Sequence, residues 1–288
     1  SELDEVWMPR ETHFWSHYLP GFARAPNRRM KRSRVRRVVE AMQSSGGPLA
    51  MSATEGKRVV DGVDEDGCTA WELFGLVVDA LSPAGATMLG EKTPKHAWPA
   101  GHLLAARPEL KLVGVVRDPR ANFASLLNVA WGQRDSQRFG WRWRLLYERL
   151  LADRDAFGRH RVMLARYEDV VAEPRAFQTS LAEFLGVQMA VTEGQSDDLF
   201  LPHETWKTRA LQEPDVTRID SWRPVLAARD VSLIEQITGP IAARFDYEFE
   251  PSPRLPVDPE AMMTERLFAA GFDILPPATT GGRTLPDA

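Results

Sequence analysis

The chain has one cysteine, Cys68, so no disulfide can close within it, and no cluster of histidine and cysteine with metal-ligand spacing is present. A lone thiol fits a reducing compartment, and a cytoplasmic location is the expectation. Long apolar runs are missing too. The best, Trp71 to Leu81, carries Glu72 and Asp79 and falls short of the roughly 20 residues that span a bilayer. There is no basic-then-apolar leader at the start. Nor is there an excess of positive charge: the net charge is −4, which gives no general drive toward nucleic acid or acidic membranes and makes any anion site local. No Gly-x-x-x-x-Gly-Lys-Ser/Thr loop occurs, which weighs against a nucleotide-dependent kinase. Internal repeats are absent.

What remains is an ordinary globular composition, 43% hydrophobic and 26% charged over 288 residues, enough for one α/β domain with a substantial core. Residues 1–22 are aromatic-rich and broken by Pro9 and Pro20, and read as a loop with short ordered pieces. Seven of the ten residues from Arg28 to Arg37 are basic, and with the apolar residues after them they predict a basic helix. That helix is either a solvated face or a surface that attracts an anionic acceptor. Residues 44–68, rich in Gly, Ser and Asp, read as loop or linker. Helices are expected at Thr69 to Leu81, Pro99 to Ala106, Gln137 to Asp155, Pro174 to Leu185 and Val231 to Phe245, with a short one at Pro259 to Ala270. The apolar face of the 137–155 helix is read as Trp141, Leu145 and Leu146. Strands are expected at Thr87 to Leu89, at Leu110 to Val116 and at Arg161 to Tyr167. The apolar run Leu110 to Val116 has the character of a parallel strand buried on both faces. Alternating strands and helices imply an α/β fold, a parallel sheet flanked by helices.

The residues with chemistry gather at predicted strand ends, where open parallel sheets bind ligands. Arg117-Asp118-Pro119 follows the strand at Leu110 to Val116. Asp118 is a good N-cap and Pro119 a good first helical residue, so a helix starts there at once. Arg117 and Ser125, about two turns into that helix, can grip one phosphate. Alternatively, Arg117 salt-bridges a carboxylate and Ser125 is a surface hydroxyl. Glu91-Lys92-Thr93-Pro94 closes another strand and offers Lys92 and Thr93 to an anionic oxygen. Glu11 and His13 place two proton-transfer groups beside Phe14 and Trp15. Either that segment anchors its aromatics in the core or it lines a site. Tyr167 ends a third strand and either stacks on or bonds to a purine or caps the core. Arg218, Trp222 and Arg223 put two guanidiniums around an indole, which suits a nucleotide or is a Trp packed on the domain with solvated arginines.

Taken in order, these segments resemble the PAPS-dependent sulfotransferase family, especially its bacterial and carbohydrate-directed branches (PAPS is 3′-phosphoadenosine 5′-phosphosulfate). The resemblance rests on Arg10-Glu11-Thr12-His13-Phe14-Trp15, Glu91-Lys92-Thr93-Pro94-Lys95-His96, Val115-Val116-Arg117-Asp118-Pro119-Arg120 with Ser125, Arg166-Tyr167-Glu168-Asp169, Phe184-Leu185-Gly186-Val187 and Trp222. It implies a nucleotide-kinase-like (P-loop-type) fold in a domain covering residues 1–250, followed by a Pro/Gly-rich extension, residues 251–288. It further implies PAPS as sulfonyl donor, adenosine 3′,5′-bisphosphate (PAP) as product and no metal. Arg117 and Ser125 would hold the 3′-phosphate, with Tyr167, Arg218, Trp222 and Arg223 completing the cofactor site. Glu11 or His13 would be the general base and Lys92 the electrostatic partner. Arg10, Phe14, Trp15, Thr93 and His96 would meet the acceptor, a small molecule, lipid or carbohydrate with a hydroxyl or amine.

The sequence departs from the family pattern in having Arg10 where a lysine is usual and in lacking an Arg-Lys-Gly loop. The family's opening strand and Gly/Ser/Thr-rich phosphosulfate loop do not precede Ser1, so the sequence reads as starting just after that loop, without a central strand and half the donor site. Two alternatives stand beside a sulfotransferase: a kinase of related fold, and a non-catalytic member serving as a binding module.

Overall fold

The computed structural model describes residues 6–9, 11–44, 51–82, 88–187 and 214–271. The first strand, β1 (Val6–Trp7), leads into a tight π-helical turn at Phe14–Tyr18 and a 3-10 turn at Pro20–Phe22. β2 (Arg29–Met30) comes next, then α1 (Arg32–Ser44). The basic helix therefore begins later than the charge run suggests, because Arg29 and Met30 pair antiparallel with Thr69 and Cys68 of β3 (Cys68–Thr69). Between them lies α2 (Ala53–Asp61), which corrects the reading of residues 44–68 as linker. Its start is a reciprocal cap in which Ser52 accepts from the Glu55 N–H and Glu55 accepts from the Ser52 N–H. The same device, Thr69 with Glu72, opens α3 (Ala70–Leu81).

β4 (Met88–Leu89) pairs in parallel with β1, and the residue before it, Thr87, lies outside the described residues. α4 (Ala100–Ala106) leads to β5 (Leu112–Val116), and α5 (Pro119–Leu126) follows at once. Asp118 accepts a hydrogen bond from the Arg120 N–H at 2.8 Å, as expected of an N-cap. The long α6 (Ser136–Phe157) returns the chain to β6 (Val162–Arg166), which lies parallel to β5 with Leu112 opposite Val162 and Val116 opposite Arg166. α7 (Tyr167–Ala172), α8 (Pro174–Leu185), α9 (Ala228–Ala242) and α10 (Pro259–Gly271) complete the described helices. Short parallel strands flanked by helices are the α/β architecture expected from the sequence.

Two apolar clusters hold these elements. One joins the Phe14–Tyr18 turn to α1, α2 and α3 through Phe14, Trp15, Val35, Met42, Val59 and Leu73. The other joins β5, α6 and α9 through Val116, Trp143, Tyr147, Leu150, Ile234 and Ile241. The buried stripe of α6 is thus Phe139, Trp143, Tyr147 and Leu150, whereas Trp141, Leu145 and Leu146 are only half-buried. The i, i+4 stripe that faces α9 sets that phase. Gly140 lets α9 approach, since a side chain there would meet Ile237 at 3.3 Å. β5 is likewise not covered on both faces. Leu112 and Val116 point into the cluster, but Val113 and Val115 are exposed, as the two-residue alternation of a strand allows.

α10 falls in the Pro/Gly-rich stretch and packs on α6. Its Glu265 is fully buried and bridges Arg138 and Arg142 of α6.

Candidate active site

The pairing of β1 with β4 lays residues 11–15 against residues 91–96, and Glu91 is the hub of that contact. One carboxylate oxygen accepts from the Thr12 N–H at 3.2 Å, the Thr12 hydroxyl at 2.7 Å and the Thr93 hydroxyl at 2.5 Å. The other meets His96 Nδ1 at 2.6 Å. His96 Nε2 accepts from the Trp15 N–H at 3.1 Å, so the ring proton sits on Nδ1 and is donated to Glu91. Thr93 also accepts from the His13 N–H at 3.0 Å. Burial pushes the Glu91 carboxyl up, but the bonds from His96, Thr93 and Thr12 outweigh it and hold the group below the usual carboxylate range. Its stabilising contribution is therefore complete above the ordinary carboxylate value and is lost as pH falls through the lowered one.

This network fixes the backbone on either side of His13, which adopts a left-handed conformation with φ 51°. Such a conformation costs a non-glycine residue energy and persists where surrounding bonds over-determine it. It turns the imidazole toward Glu11, with Nε2 3.7 Å from the carboxylate. The other oxygen of Glu11 is ion-paired with Lys92. Burial lowers the His13 pKa against the opposing pull of Glu11, with His96 and Lys95 adding to the lowering, so the ring is neutral at pH 7 and able to accept a proton. Glu11, His13 and Lys92 thus form a partly exposed trio on a buried, hydrogen-bonded base.

Thr93 and His96 belong to that base and are buried. Phe14 and Trp15 are core residues, 0% and 2% exposed, packed against Phe74 and Trp71. The aromatics anchor the segment rather than line a surface, which is one of the two alternatives its sequence leaves open. Arg10 lies outside the described residues.

Glu91→Gln should keep the shape of the hub but remove its charge and one acceptor. A cost of about 1–3 kcal/mol is expected, the range for a buried polar group left partly unsatisfied. Chemical denaturation of the two proteins checks this, and a midpoint equal to that of the parent would show that the hub contributes nothing to stability.

The second group stands at the ends of β5 and β6. The Arg117 guanidinium lies over the Tyr167 ring at 4.5 Å and donates to the Arg218 carbonyl at 3.1 Å. The Arg117 carbonyl accepts from the Trp143 indole. Arg117 makes no ion pair among the described residues, and its Nε is buried without a hydrogen-bond partner. Burial, reinforced by Arg218 and opposed by Tyr167, lowers its pKa. Ser125, in the last turn of α5, is half-buried, and its hydroxyl bonds to nothing among the described residues.

Neighbouring groups set this end of the sheet in place. Glu168, buried, accepts from the Asp118 N–H at 3.0 Å and from the Tyr247 hydroxyl at 2.6 Å. Arg120 is held by Asp118 and Glu235 and stacks on Trp222 at 4.4 Å. The Trp222 indole therefore packs under a structural arginine, and Arg223 is an exposed partner of Asp220. The structure brings Arg117, Tyr167 and Arg218 together and leaves Trp222 and Arg223 on the following turn. Glu91, Arg120, Glu168 and Tyr247 were not singled out from the sequence. Glu91 and Glu168 sit inside the motifs already noted, where a carboxylate between polar neighbours gives the only local sign of a buried acceptor.

Short parallel strands flanked by helices, with an arginine at a strand end that makes no ion pair among the described residues and a carboxylate–imidazole pair at another loop, give an α/β scaffold with its polar groups at strand ends. The sulfotransferase family profile matches residues 7–191, well over half of the chain, and the protein belongs to that family. Two solved structures share the fold. The sulfotransferase domain from the curacin biosynthetic pathway aligns with a TM-score of 0.59 at 16% identity, covering 86% of this chain and 91% of that one. The sulfotransferase domain of the Synechococcus PCC 7002 olefin synthase aligns at 0.51 and 18% identity, over 85% and 95%. No curated protein matches by sequence. No helix among the described residues is long and apolar enough to cross a membrane.

Proposed function

We propose that the protein transfers a sulfonyl group from PAPS to a hydroxyl or amine of a small-molecule, lipid or carbohydrate acceptor. The observation that carries this is Arg117, a half-buried cation without a carboxylate partner among the described residues. Its Nε is sealed off and unbonded among the described residues, and α5 and its capped N-terminus begin two residues later. An unpaired buried guanidinium is costly unless an anion completes it, and the chemistry of a phosphate fits that need. Arg117 and Ser125 would bind the 3′-phosphate, and the Tyr167 ring, already stacked on Arg117, would border the nucleoside.

PAPS supplies the electrophilic sulfur. Glu11, with His13 as its rival, takes the acceptor proton as the acceptor oxygen or nitrogen attacks the sulfur, while the bond from sulfur to the 5′-phosphate oxygen breaks and PAP leaves. Lys92, paired with Glu11 at rest, offsets charge on the oxygens around the reacting centre. The Glu91 hub keeps this trio in register, which is what in-line transfer requires of a positioning element.

Arg117→Ala should weaken PAP binding by about ten- to a hundredfold, the loss of one charge-assisted contact worth roughly 1.5–3 kcal/mol. Isothermal calorimetry with PAP reads this directly. Undiminished affinity would remove Arg117 from the donor site and the reading with it.

A further inference from the structure

Behind β6 lies a second site candidate that none of the chemistry above uses. A cleft of about 590 Å³ is bounded by β6, the end of α6, α7, α8 and the turn after α9. Four arginines line it: Arg154, Arg159, Arg166 and Arg244. Arg154, Arg159 and Arg244 make no ion pair among the described residues. Three carboxylates also border the cleft, Asp169, Glu173 and Asp246, yet none is paired with those three guanidiniums. After burial, the charge of Arg159 lowers the Arg154 pKa most, Asp155 opposes it and Arg244 adds to the lowering, so both cations act on Arg154. Arg166 reaches in from the strand end, its guanidinium over the Tyr247 ring at 4.6 Å, its Nε buried without a partner among the described residues, and Asp169 and Glu168 near enough to favour its charge. Between the charges the wall is apolar, with half-buried Met163, Val170 and Phe177.

Four arginines against three carboxylates line the cleft, and three of those guanidiniums make no ion pair among the described residues, so their donors are open to a bound anion. Guanidiniums suit phosphate oxygens because each presents paired donors in a plane. The apolar wall suits a hydrocarbon body attached to that head. We propose that this cleft binds a phosphate monoester carried on an apolar chain or ring. It is separate from the Arg117 group, since Arg117, Ser125, Tyr167 and Glu168 do not line it. The same head group occurs on a free alkyl phosphate and on an anionic lipid such as phosphatidic acid.

The test uses the full chain and three probes: octyl phosphate, inorganic phosphate, and phosphatidylcholine vesicles with and without phosphatidic acid. Calorimetry should show octyl phosphate binding more tightly than inorganic phosphate. The double variant R154Q/R244Q and the single variant R159Q should each weaken octyl phosphate by about tenfold or more, the loss expected for charge-assisted contacts. R117A should leave it unchanged. Arg159 and Arg244 are exposed, so R159Q tests the proposal even if the double variant folds poorly. Vesicle flotation that depends on phosphatidic acid and on the same arginines assigns the lipid as source, and soluble binding without flotation assigns the free ester. The proposal is overturned by no binding at millimolar octyl phosphate, by affinity indifferent to Arg154, Arg159 and Arg244, or by loss in R117A alone. Equal affinity for octyl and inorganic phosphate would also overturn it, because the apolar wall would then contribute nothing.

Discussion

Glu11→Gln should slow the chemical step by about a hundredfold or more while leaving PAP affinity nearly intact, the signature of a lost general base. The glutamine keeps the size of the side chain but cannot take a proton, and it releases Lys92 from its ion pair. His13 lies within 3.7 Å of the same carboxylate, so His13→Ala has to be measured beside it in single-turnover experiments. Should the glutamine variant keep its rate while the alanine variant loses it, His13 is the base and Glu11 only orients it. The pH profile separates the two independently. The fold holds the His13 pKa below 6.5, so a rate governed by His13 falls off on the acid side below that value, and this limb should vanish in His13→Ala. Because the neutral ring is the favoured form, protonation of His13 also costs stability. That cost appears as pH falls below the unfolded value near 6.5 and is absent above it.

Glu265→Ala should destabilise the protein by about 3 kcal/mol, the lower end of the range for breaking a buried ion pair. Glu265 is fully buried, with bonds of 3.1 Å to Arg138 and of 2.7 and 3.1 Å to Arg142. Arg138 and Arg142 are about two-fifths exposed, so they can regain water once the carboxylate is gone, which is why the upper end is not expected. The loss should centre on α10, the helix that this residue fastens to α6. Thermal unfolding should shift down by roughly 6 °C or more, and hydrogen exchange should rise first in residues 259–271. An unshifted transition would mean that Glu265 does not hold the helix.

The parts of this protein legible in the sequence are those whose signals are local. Asp118 and Pro119 announce a helix start wherever they occur after a strand, and α5 begins there. α8 runs over the residues expected of it because Pro174 opens it and Gly186 closes it in the left-handed conformation. α2 escapes a composition reading although Ser52 and Glu55 spell a capping box, because the Gly- and Asp-rich residues around it outweigh its nine positions. In α6 the presence of the helix was clear and its phase was not. Trp141 and Trp143 are two residues apart, and only the position of α9 decides which is buried. Val113 and Val115 show the limit of reading an apolar run: hydrophobicity marks a strand but not whether its second face is covered. At the site, Glu11, His13 and Lys92 stand side by side, whereas the role of Glu91 is hard to read in sequence because two of its bonds come from Thr12, 79 positions away.

Tyr247 gives this architecture an order in time. Its hydroxyl closes on Glu168 and on the Val116 carbonyl, 131 positions earlier, within the chain of bonds that sets the Asp118 N–H beside Arg117. On a ribosome, synthesis at about 5–20 residues per second separates the emergence of β5 from that of Tyr247 by several seconds or more. During that interval Glu168 lacks its phenol and the α9 face that covers α6 does not yet exist. Pairings of such high sequence separation form slowly even in a complete chain. The Arg117 group is therefore among the later features a nascent molecule acquires, and on the proposed function a ribosome-stalled chain ending before residue 247 should hold β5, α6 and β6 without binding PAP.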